Sequence, residues 1–346
     1  MDQLRALCAQ FNAEIWDYAW PRKGLNGEQW SVQAFWIGPK NPRKLHVRLA
    51  AVHGIEGMVG IFVMLHILRL NFKELLGPDC ALLLIAPVNP PGFYSGNRDN
   101  DMDVDENRGG GPAFVTVVDF QKYAHLFTPK VWTPGHHAHF LDLLKRFTKE
   151  VRTATTSGQH DDFRAPFFGG REISTGVQIV LQIIERALQR GVEYMTVEDD
   201  HSGLGVEEQI SIVSATIDPN VQKLIVERTG DPRIQFMGRG QVGAAEKING
   251  LITAAIEREV GMRAKCMILT LDIGCEGSPE TSVVIMGKRK WIKLNPGVLT
   301  SYDERATIER YNRLFWLPDK KGWLDLYTTE ASKLFQSMAH WLREVA

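Results

Sequence analysis

The sequence predicts an α/β protein whose mixed, largely parallel, twisted sheet is covered by helices on both faces. Two observations support this fold class. Strand-length apolar runs alternate along the chain with helix-length runs, which is the pattern of strand–helix–strand units. Several strand-like runs are apolar at nearly every position, as expected for strands buried on both faces. We predict a single domain over residues 1–346, in which about residues 1–30 form an N-terminal helical extension.

The predicted elements follow one another without an internal repeat or a low-complexity tract. Seven runs have the length and the apolar content of strands: 31–38, 45–52, 81–88, 192–199, 208–215, 233–238 and 264–274. Five longer runs are predicted as helices: 57–76, 138–153, 176–190, 243–260 and 323–344.

Composition and charge exclude several classes of protein. The net charge of −1 gives no bulk attraction to nucleic acid or to an anionic membrane, so neither is an expected partner. The apolar stretch at residues 58–70 is too short for a membrane span, and residues 1–20 lack the apolar core of a signal peptide. The cysteines form neither a disulfide framework nor a Cys-rich metal motif, which favours a reducing, cytoplasmic location. They are Cys8, Cys80, Cys266 and Cys275.

A metal-binding pattern stands where the second predicted strand ends. His53 and Glu56 lie three residues apart at the junction between an apolar strand and an apolar helix. Side chains at such a junction can point into the crevice at the carboxyl end of a sheet, where open α/β sheets bind ligands. Imidazole and carboxylate both suit zinc, and a catalytic zinc site uses three protein ligands. Taken alone, the pair is more typical of a polar strand-to-helix turn than of a metal site.

The polar stretch over residues 89–111 directly follows the third predicted strand. A loop of that length inside a compact domain is usually functional or disordered. Arg98 and Arg108 are interleaved with acidic and amide residues, which favours a functional loop.

Another polar group stands at the end of the strand 192–199. Glu198, Asp199 and Asp200 run directly into His201. Buried acids are costly unless a cation or hydrogen bonds compensate them. His201 supplies a third ligand type for a metal, and an adjacent carboxylate could hold the other nitrogen of its ring.

The last apolar strand, 264–274, contains Asp272 near its end and is followed by Glu276. A carboxylate at this edge of the sheet could act as general base on a water activated by a metal. Without the other motifs, Asp272 is typical of a turn or a helix cap.

Together these segments resemble the zinc carboxypeptidases of the carboxypeptidase A type. The closest resemblance is to the bacterial cytosolic branch, with its succinylglutamate desuccinylase and aspartoacylase relatives. VHGIEG is similar to the first ligand motif, and DDHSGLG is similar to the motif of the third ligand. PVNPPGF and VDENRGG resemble the substrate-binding segment, and LFWLPDKKGWLDLY resembles the closing segment. The resemblance runs from about residue 30 to the C-terminus.

The resemblance implies one zinc ion per chain, bound by His53, Glu56 and His201. It also implies a metallocarboxypeptidase-like hydrolase, because zinc lowers the pKa of a bound water and polarises the carbonyl of a peptide or amide bond. On this pattern the general base is Asp272, and Arg98 faces the oxyanion of the tetrahedral intermediate.

The same resemblance assigns substrate binding to Asn107 and Arg108. A guanidinium matches a carboxylate with two parallel hydrogen bonds, so these residues would grip the free carboxylate of a peptide or of an acyl-amino acid. The sequence gives no indication of oligomeric partners.

One residue departs from the family pattern. The family has Glu in a Thr-x-Glu-x-Gly context, whereas this chain has Asp272 between Thr270 and Gly274. Asp is one methylene shorter, and a misplacement of roughly an ångström can cost ~10²-fold in rate. Glu276 is the alternative base. Three hypotheses therefore stay open: a peptidase, a zinc amidohydrolase that deacylates acylated amino acids, and a non-catalytic protein that binds metal or peptide.

A rival hypothesis is dinucleotide binding. Gly238, Gly240 and Gly243 form a G-x-G-x-x-G pattern between a predicted strand and a predicted helix. The next acid at a strand end lies 29 residues past Gly243, beyond the usual distance of about 20, so a glycine-rich turn is preferred. Three histidines after Pro134 likewise favour a helix start or an exposed loop over a metal site. They are His136, His137 and His139.

Overall fold

The strands of this protein form one mixed sheet. The structure, a computed structural model, describes residues 1–24, 26–114, 116, 120–146, 148–203, 205–236 and 248–345. Within these ranges the strands are β1 (Glu14–Lys23), β2 (Gln29–Ile37), β3 (Lys44–Leu49), β4 (Cys80–Ala86), β5 (Tyr194–Ser202), β6 (Ile210–Ser214), β7 (Ile234–Phe236) and β8 (Lys265–Ile273).

The order of the strands across the sheet is β1-β2-β4-β3-β5-β8-β6-β7. The central strands β4, β3, β5 and β8 are parallel to one another, and β7 is parallel to β6. Antiparallel pairs join β1 to β2, β2 to β4, and β6 to β8. The predicted fold class, an α/β protein with a mixed and largely parallel sheet, is confirmed.

Helices account for most of the remaining chain. In the described ranges the α-helices are α1 (Asp2–Gln10), α2 (Gly57–Arg69), α3 (Phe72–Leu76), α4 (Pro90–Ser95), α5 (Phe120–Tyr123), α6 (Pro134–Arg146), α7 (Thr148–Thr156), α8 (Thr175–Leu188), α9 (Pro219–Thr229), α10 (Ile252–Val260), α11 (Pro279–Leu294), α12 (Ser301–Arg313) and α13 (Trp323–Glu344). Single 3-10 turns lie at Gly54–Glu56 and Ala124–Leu126.

Two apolar cores lie on opposite faces of the sheet. On one, here called the α13 face, apolar residues of β4 and β8 pack with α1, α2 and α13. On the other, the α10 face, the apolar strand residues that point away from α13 pack with α8 and α10. Helix α13 buries Tyr327, Leu334, Phe335 and Met338 at helical spacing, which explains why this long segment forms an amphipathic helix against the sheet.

Successive residues of a strand point to opposite faces, and β5 shows this clearly. Met195 and Val197 belong to the core on the α10 face. Asp199 and His201 follow at the same spacing of two, so they lie on the α10 face as well. On β3, His46 contacts Phe335 of α13. Arg48, two residues further along the strand, therefore points to the α13 face as well.

All seven predicted strands are present, but the predictions for other elements need correction. The expected helical extension over residues 1–30 is helical only in α1, because residues 14–23 form the edge strand β1. The helix predicted over 57–76 is interrupted at residues 70–71, and the one over 138–153 corresponds to α6 and α7. Helices α9, α11 and α12 were not predicted.

Two further predicted segments differ from the structure. The stretch 89–111, expected to be a loop, contains the short helix α4 and is otherwise irregular. The helix predicted over 243–260 begins only at Ile252, and residues 243–247 lie outside the described residues.

In the part of the chain that the structure describes, no helix combines the length and the apolar character needed to cross a membrane. The four cysteines are free thiols in the structure.

Candidate metal centre

The metal-binding pattern of the sequence lies just beyond the carboxyl end of β3. His53 is followed by the 3-10 turn Gly54–Glu56, and α2 begins at the next residue. A Cβ atom at Gly54 would lie 2.0 Å from the carbonyl carbon of Gly92, so only glycine fits against α4 here. This close packing fixes the turn that carries His53 and Glu56.

His201, near the end of β5, completes a buried trio with this turn. The Nδ1 atom of His53 lies 2.9 Å from Oε1 of Glu56, and the Nδ1 atom of His201 lies 2.8 Å from Oε2. The two Nδ1 atoms are 3.1 Å apart. Ligand atoms of all three side chains therefore lie within 4.8 Å of one another, and each residue is at most 3% exposed.

A carboxylate holds the outer nitrogen of each imidazole. Asp105 Oδ1 lies 3.1 Å from Nε2 of His53, and Asp199 Oδ2 lies 2.8 Å from Nε2 of His201. A carboxylate that accepts a hydrogen bond from Nε2–H leaves Nδ1 of the neutral ring as the atom that can bind a metal, as in many metal sites. The adjacent carboxylate expected for His201 is Asp199. The role of Asp105 was not anticipated, because its partner is 52 residues away in the sequence.

The trio is strongly coupled electrostatically. Burial alone would raise the pKa of Glu56, but His53 and His201 lower it well below its ordinary value. For His201, burial opposes the charged form, yet Asp199 and Glu56 raise the pKa well above the ordinary value. Glu56 is therefore ionised at neutral pH, as a metal-binding carboxylate must be.

Arg98 lies beside the trio and contacts two acids, Glu56 of the trio and Asp105. Its Nη1 donates to Oε1 of Glu56 at 3.0 Å, and its Nε donates to Oδ2 of Asp105 at 3.2 Å. The backbone N–H of Arg98 donates to the hydroxyl of Tyr311 at 2.9 Å. The side chain is 12% exposed and reaches the edge of a cleft.

Asn107 and Arg108 form another part of the wall of that cleft. The Arg108 guanidinium donates to the carbonyl oxygens of Thr156 and Asn107 and lies 5.4 Å from the ring centroid of Phe167. Among the described residues, no carboxylate forms an ion pair with it. Burial lowers its pKa to about 10, with Asp105 partly opposing the change, so it stays charged at neutral pH.

The start of α10 fixes this wall. The Ile252 N–H donates to Oδ1 of Asn107 at 3.2 Å, which leaves the amide NH₂ of Asn107 as the donor on that side chain. Gly250 has φ of +71°, and a Cβ there would lie 1.9 Å from the carbonyl oxygen of Arg108. Glycine at this position is therefore required for α10 to approach the Arg108 backbone so closely.

Asp272 stands on β8 directly beside His201 of β5, with which it forms a Cα pair in the parallel ladder. It is 8% exposed and lines the cleft. Glu276, the alternative base, is not a cleft residue. Its carboxylate pairs with Arg313 and is 48% exposed, so the hypothesis that Glu276 replaces Asp272 loses support.

The cleft has about 1100 Å³ of empty space and opens to solvent at the carboxyl ends of β3, β5 and β8. Apart from the alternative base Glu276, it is lined by every residue to which the sequence assigned a role in the site: His53, Glu56, Arg98, Asn107, Arg108, His201 and Asp272. Helix α11 borders it through Val283 and Met286.

The other sequence patterns do not join the cleft. Gly238, Gly240 and Gly243 lie outside the described residues, so the dinucleotide hypothesis receives no support from the structure. The histidines after Pro134 lie in α6, as a helix start predicts, and His136 contacts the carbonyl oxygen of Leu126. Across the described ranges, the trio of His53, Glu56 and His201 is the one group of three metal-ligating side chains that converges.

The fold is similar to that of solved carboxypeptidase structures. Bovine thrombin-activatable fibrinolysis inhibitor, solved with a tick carboxypeptidase inhibitor, matches with a TM-score of 0.53 and 9% identity over 99% of this chain and 95% of that chain. Carboxypeptidase A from Helicoverpa armigera matches with a TM-score of 0.47 and 11% identity over 90% and 71%. A succinylglutamate desuccinylase from Chromobacterium violaceum matches with a TM-score of 0.41 and 12% identity, over 86% of this chain and 75% of that chain. The predicted zinc-carboxypeptidase-like fold is confirmed.

The sequence profile of a family described as "Protein of unknown function (DUF2817)" matches residues 2–328. The chain belongs to this family. No curated protein matches the sequence.

Proposed function

We propose that this protein is a zinc-dependent hydrolase that cleaves an amide bond next to a free carboxylate. The observation that carries the proposal is the trio of His53, Glu56 and His201, whose ligand atoms converge within 4.8 Å. Two imidazole nitrogens and one carboxylate are the protein ligands of many catalytic zinc sites.

The surroundings of the trio suit a zinc ion. The two Nδ1 atoms lie 3.1 Å apart and each is close to Glu56, while both Nε2 atoms contact other carboxylates. His53, Glu56 and His201 would hold the ion, and Glu56 would add a negative charge. Zinc in such a site polarises a carbonyl and activates a water as nucleophile.

Asp272 is the proposed general base. It lies across the ladder from His201 and lines the same cleft, which supports a role in taking a proton from the attacking water and returning it to the leaving amine. Arg98, at the cleft edge beside Glu56, is the proposed donor to the oxyanion.

Asn107 and Arg108 are the proposed anchor for the carboxylate of the substrate. Arg108 is buried, contacts carbonyl oxygens and faces the cleft, and a substrate carboxylate would provide the charge partner that its described surroundings lack. The amide NH₂ of Asn107 offers a further donor on the same wall.

The lining of the cleft includes several uncharged side chains. They are Val213, Ala215, Leu251, Thr253 and Thr270. An acidic substrate side chain beside them would lack a cation of its own, because Arg98 and Arg108 are assigned to the oxyanion and to the terminal carboxylate, and burying an unpaired charge is costly. We therefore infer that peptides or acyl-amino acids ending in an uncharged residue are better substrates than those ending in glutamate or aspartate.

Metal analysis and a substrate panel test the proposal. Purified protein should contain about one zinc per chain, and His53→Ala should lose the zinc and the activity. His340→Ala is a matched control, because His340 is exposed on α13 and pairs with Glu344. A native protein that is free of zinc and cannot be loaded with it would contradict the proposal.

The panel should contain peptides and acyl-amino acids, each with a free and with an amidated C-terminus. Turnover of peptides indicates a peptidase, whereas turnover of acyl-amino acids alone indicates the amidohydrolase. Binding of zinc without any turnover would favour the non-catalytic hypothesis. Preference for amidated substrates would contradict the role of Arg108.

A further inference from the structure

A second ionic cluster lies behind the cleft, on the α13 face of the sheet. Arg48 of β3 donates to both carboxylate oxygens of Asp200, through Nε at 2.7 Å and Nη2 at 2.9 Å, and its Nη1 pairs with Glu198. Tyr327 of α13 places its hydroxyl 3.2 Å from Asp200 Oδ1 and 2.8 Å from the carbonyl oxygen of Leu271. None of Arg48, Glu198, Asp200 and Tyr327 is more than 1% exposed.

The cluster joins the three strands that carry the cleft residues. Arg48 and Glu198 are Cα partners between β3 and β5. Asp200 and Leu271 are Cα partners between β5 and β8, and Tyr327 contacts both of them. The side chains and the hydroxyl thus connect β3, β5 and β8 near their carboxyl ends.

Two residues contacted in this cluster are one position away from a group in the cleft. Asp200 precedes His201, and Leu271 precedes Asp272. The peptide groups that position His201 and Asp272 are therefore fixed from the opposite face of the sheet, by a network that never touches the cleft.

Stability alone is a poor explanation for such a cluster. Apolar side chains of similar volume often serve a buried position as well as an ion pair does, and leave no charge to compensate. What apolar side chains cannot supply is directional contact between defined atoms of neighbouring strands. The guanidinium makes two hydrogen bonds to one carboxylate, and the hydroxyl contacts two strands. Together these contacts restrict the sliding and the rotation of neighbouring strands.

We propose that Arg48, Asp200 and Tyr327 are positioning residues for the hydrolytic site. They hold β3, β5 and β8 in the register that brings His201 to the turn bearing His53 and sets the distance from His201 to Asp272. This inference rests on the proposed function. It adds to that function a set of residues remote from substrate that control metal affinity and catalytic rate.

Tyr327→Phe tests the proposal most cleanly, because it removes one oxygen atom and keeps the ring in its core. We expect the zinc dissociation constant of the apoprotein, measured by competition with a chromophoric chelator, to rise roughly 10-fold, within the range typical of groups that orient metal ligands. We also expect kcat to fall while KM changes little, since the substrate anchors at Asn107 and Arg108 are untouched.

Ser214→Ala is the matched control. Ser214 is buried, and its hydroxyl donates to the carbonyl oxygen of Ile268 on the same strand β8, at 3.0 Å and away from the trio. Both substitutions remove one hydrogen bond from a buried hydroxyl to a backbone carbonyl of β8, so both should lower the thermal unfolding temperature. Only Tyr327→Phe should change zinc affinity.

Arg48→Met leaves two buried carboxylates uncompensated and is expected to impair folding, so Arg48→Lys serves as the second variant. It retains the charge and loses the fork geometry, and we expect weaker zinc binding in a folded protein. Zinc affinity and kcat equal to wild type in Tyr327→Phe and in Arg48→Lys would overturn the proposal. If wild type itself cannot bind zinc, the proposed function fails and this inference falls with it.

Discussion

Strand β5 carries acidic residues on both faces of the sheet, and the two sets have different partners. On the α10 face, Asp199 contacts the imidazole of His201, which reaches Glu56 and the cleft. On the α13 face, Glu198 and Asp200 pair with the guanidinium of Arg48. Consecutive residues of one strand therefore belong to two separate ionic clusters.

The difference lies in the groups that face the acids. The cluster on the α13 face contains its own cation, Arg48, and is sealed from solvent. The cluster on the α10 face presents two imidazole rings and a carboxylate to a cleft, which are ligand types that a metal ion binds. Buried acids alone do not identify a functional site, and the chemistry of their partners decides which set binds a ligand.

The largest effect is expected from Asp272, which tests whether the cleft side performs chemistry. Asp272→Asn removes the proposed base and should lower kcat by ~10²–10⁴-fold, while zinc content stays at about one per chain. Asp272→Glu extends the side chain by one methylene and should equal or exceed wild-type kcat, if reach limits the natural residue.

Glu276→Gln is the control for this pair, because Glu276 pairs with Arg313 outside the cleft and its loss should leave kcat unchanged. Steady-state kinetics on the best substrate of the panel measure all three variants. Full activity in Asp272→Asn together with a loss in Glu276→Gln would reverse the assignment of the base.

The contrast between β1 and the other strands explains what the sequence could reveal about the fold. The seven predicted strands are apolar enough to stand out locally, since most lie inside the sheet. Strand β1 is at the edge and buries only Trp16 and Trp20 among exposed polar neighbours, so its residues give no continuous apolar signal. Helix α12 was missed for a similar reason, because it buries only Thr307 and Tyr311.

For the site, the residues were predictable and their contacts were not. His53, Glu56, Arg98, Asn107, Arg108, His201 and Asp272 stand in recognisable motifs, and the structure gathers them around one cleft. The pairing of Asp105 with His53 and of Arg98 with Glu56 depends on how distant segments meet, which local spacing does not encode. Arg48 did carry a signal, since a charged residue inside an apolar strand requires a buried partner.

A smaller effect is expected from Arg108, the buried cation on the cleft side without a described carboxylate partner. Arg108→Lys keeps the charge and loses the bidentate geometry. Because a charge-assisted hydrogen bond contributes about 1.5–3 kcal/mol, kcat/KM for a substrate with a free carboxylate should fall by roughly 10- to 10²-fold. The amidated form of the same substrate should be hydrolysed at its wild-type rate.

Arg164→Lys is the matched control for that substitution. Arg164 is exposed and makes a bidentate pair with Asp162, away from the proposed anchor. Its replacement should leave kcat/KM unchanged for both substrates. An equal loss on free and amidated substrates in Arg108→Lys would indicate a structural role for Arg108 instead of carboxylate recognition.

The smallest effect concerns Glu198 and tests whether the cluster on the α13 face acts on stability. Burial raises the pKa of Glu198 to about 7, with Arg48 opposing and Asp200 adding to the rise, and His46 faces it at 3.7 Å. A raised pKa means that the folded protein holds the proton more tightly than the unfolded chain. The contribution of Glu198 to stability is therefore complete below pH ~4.5 and is lost as the pH rises through about 7.

Glu198→Gln remains neutral at every pH and should escape this loss. Between pH 5 and pH 8, the free energy of unfolding of wild type should decline relative to the variant by on the order of 3 kcal/mol, at about 1.4 kcal/mol per pH unit. Urea denaturation at both pH values measures this difference.

Glu330→Gln gives a control of opposite sign. Lys333 and Arg233 outweigh burial and lower the pKa of Glu330, so wild type should lose stability relative to that variant as the pH falls. A difference between wild type and Glu198→Gln that does not change with pH would mean that Arg48 keeps Glu198 ionised throughout, and the α13 cluster would then be a permanently charged network.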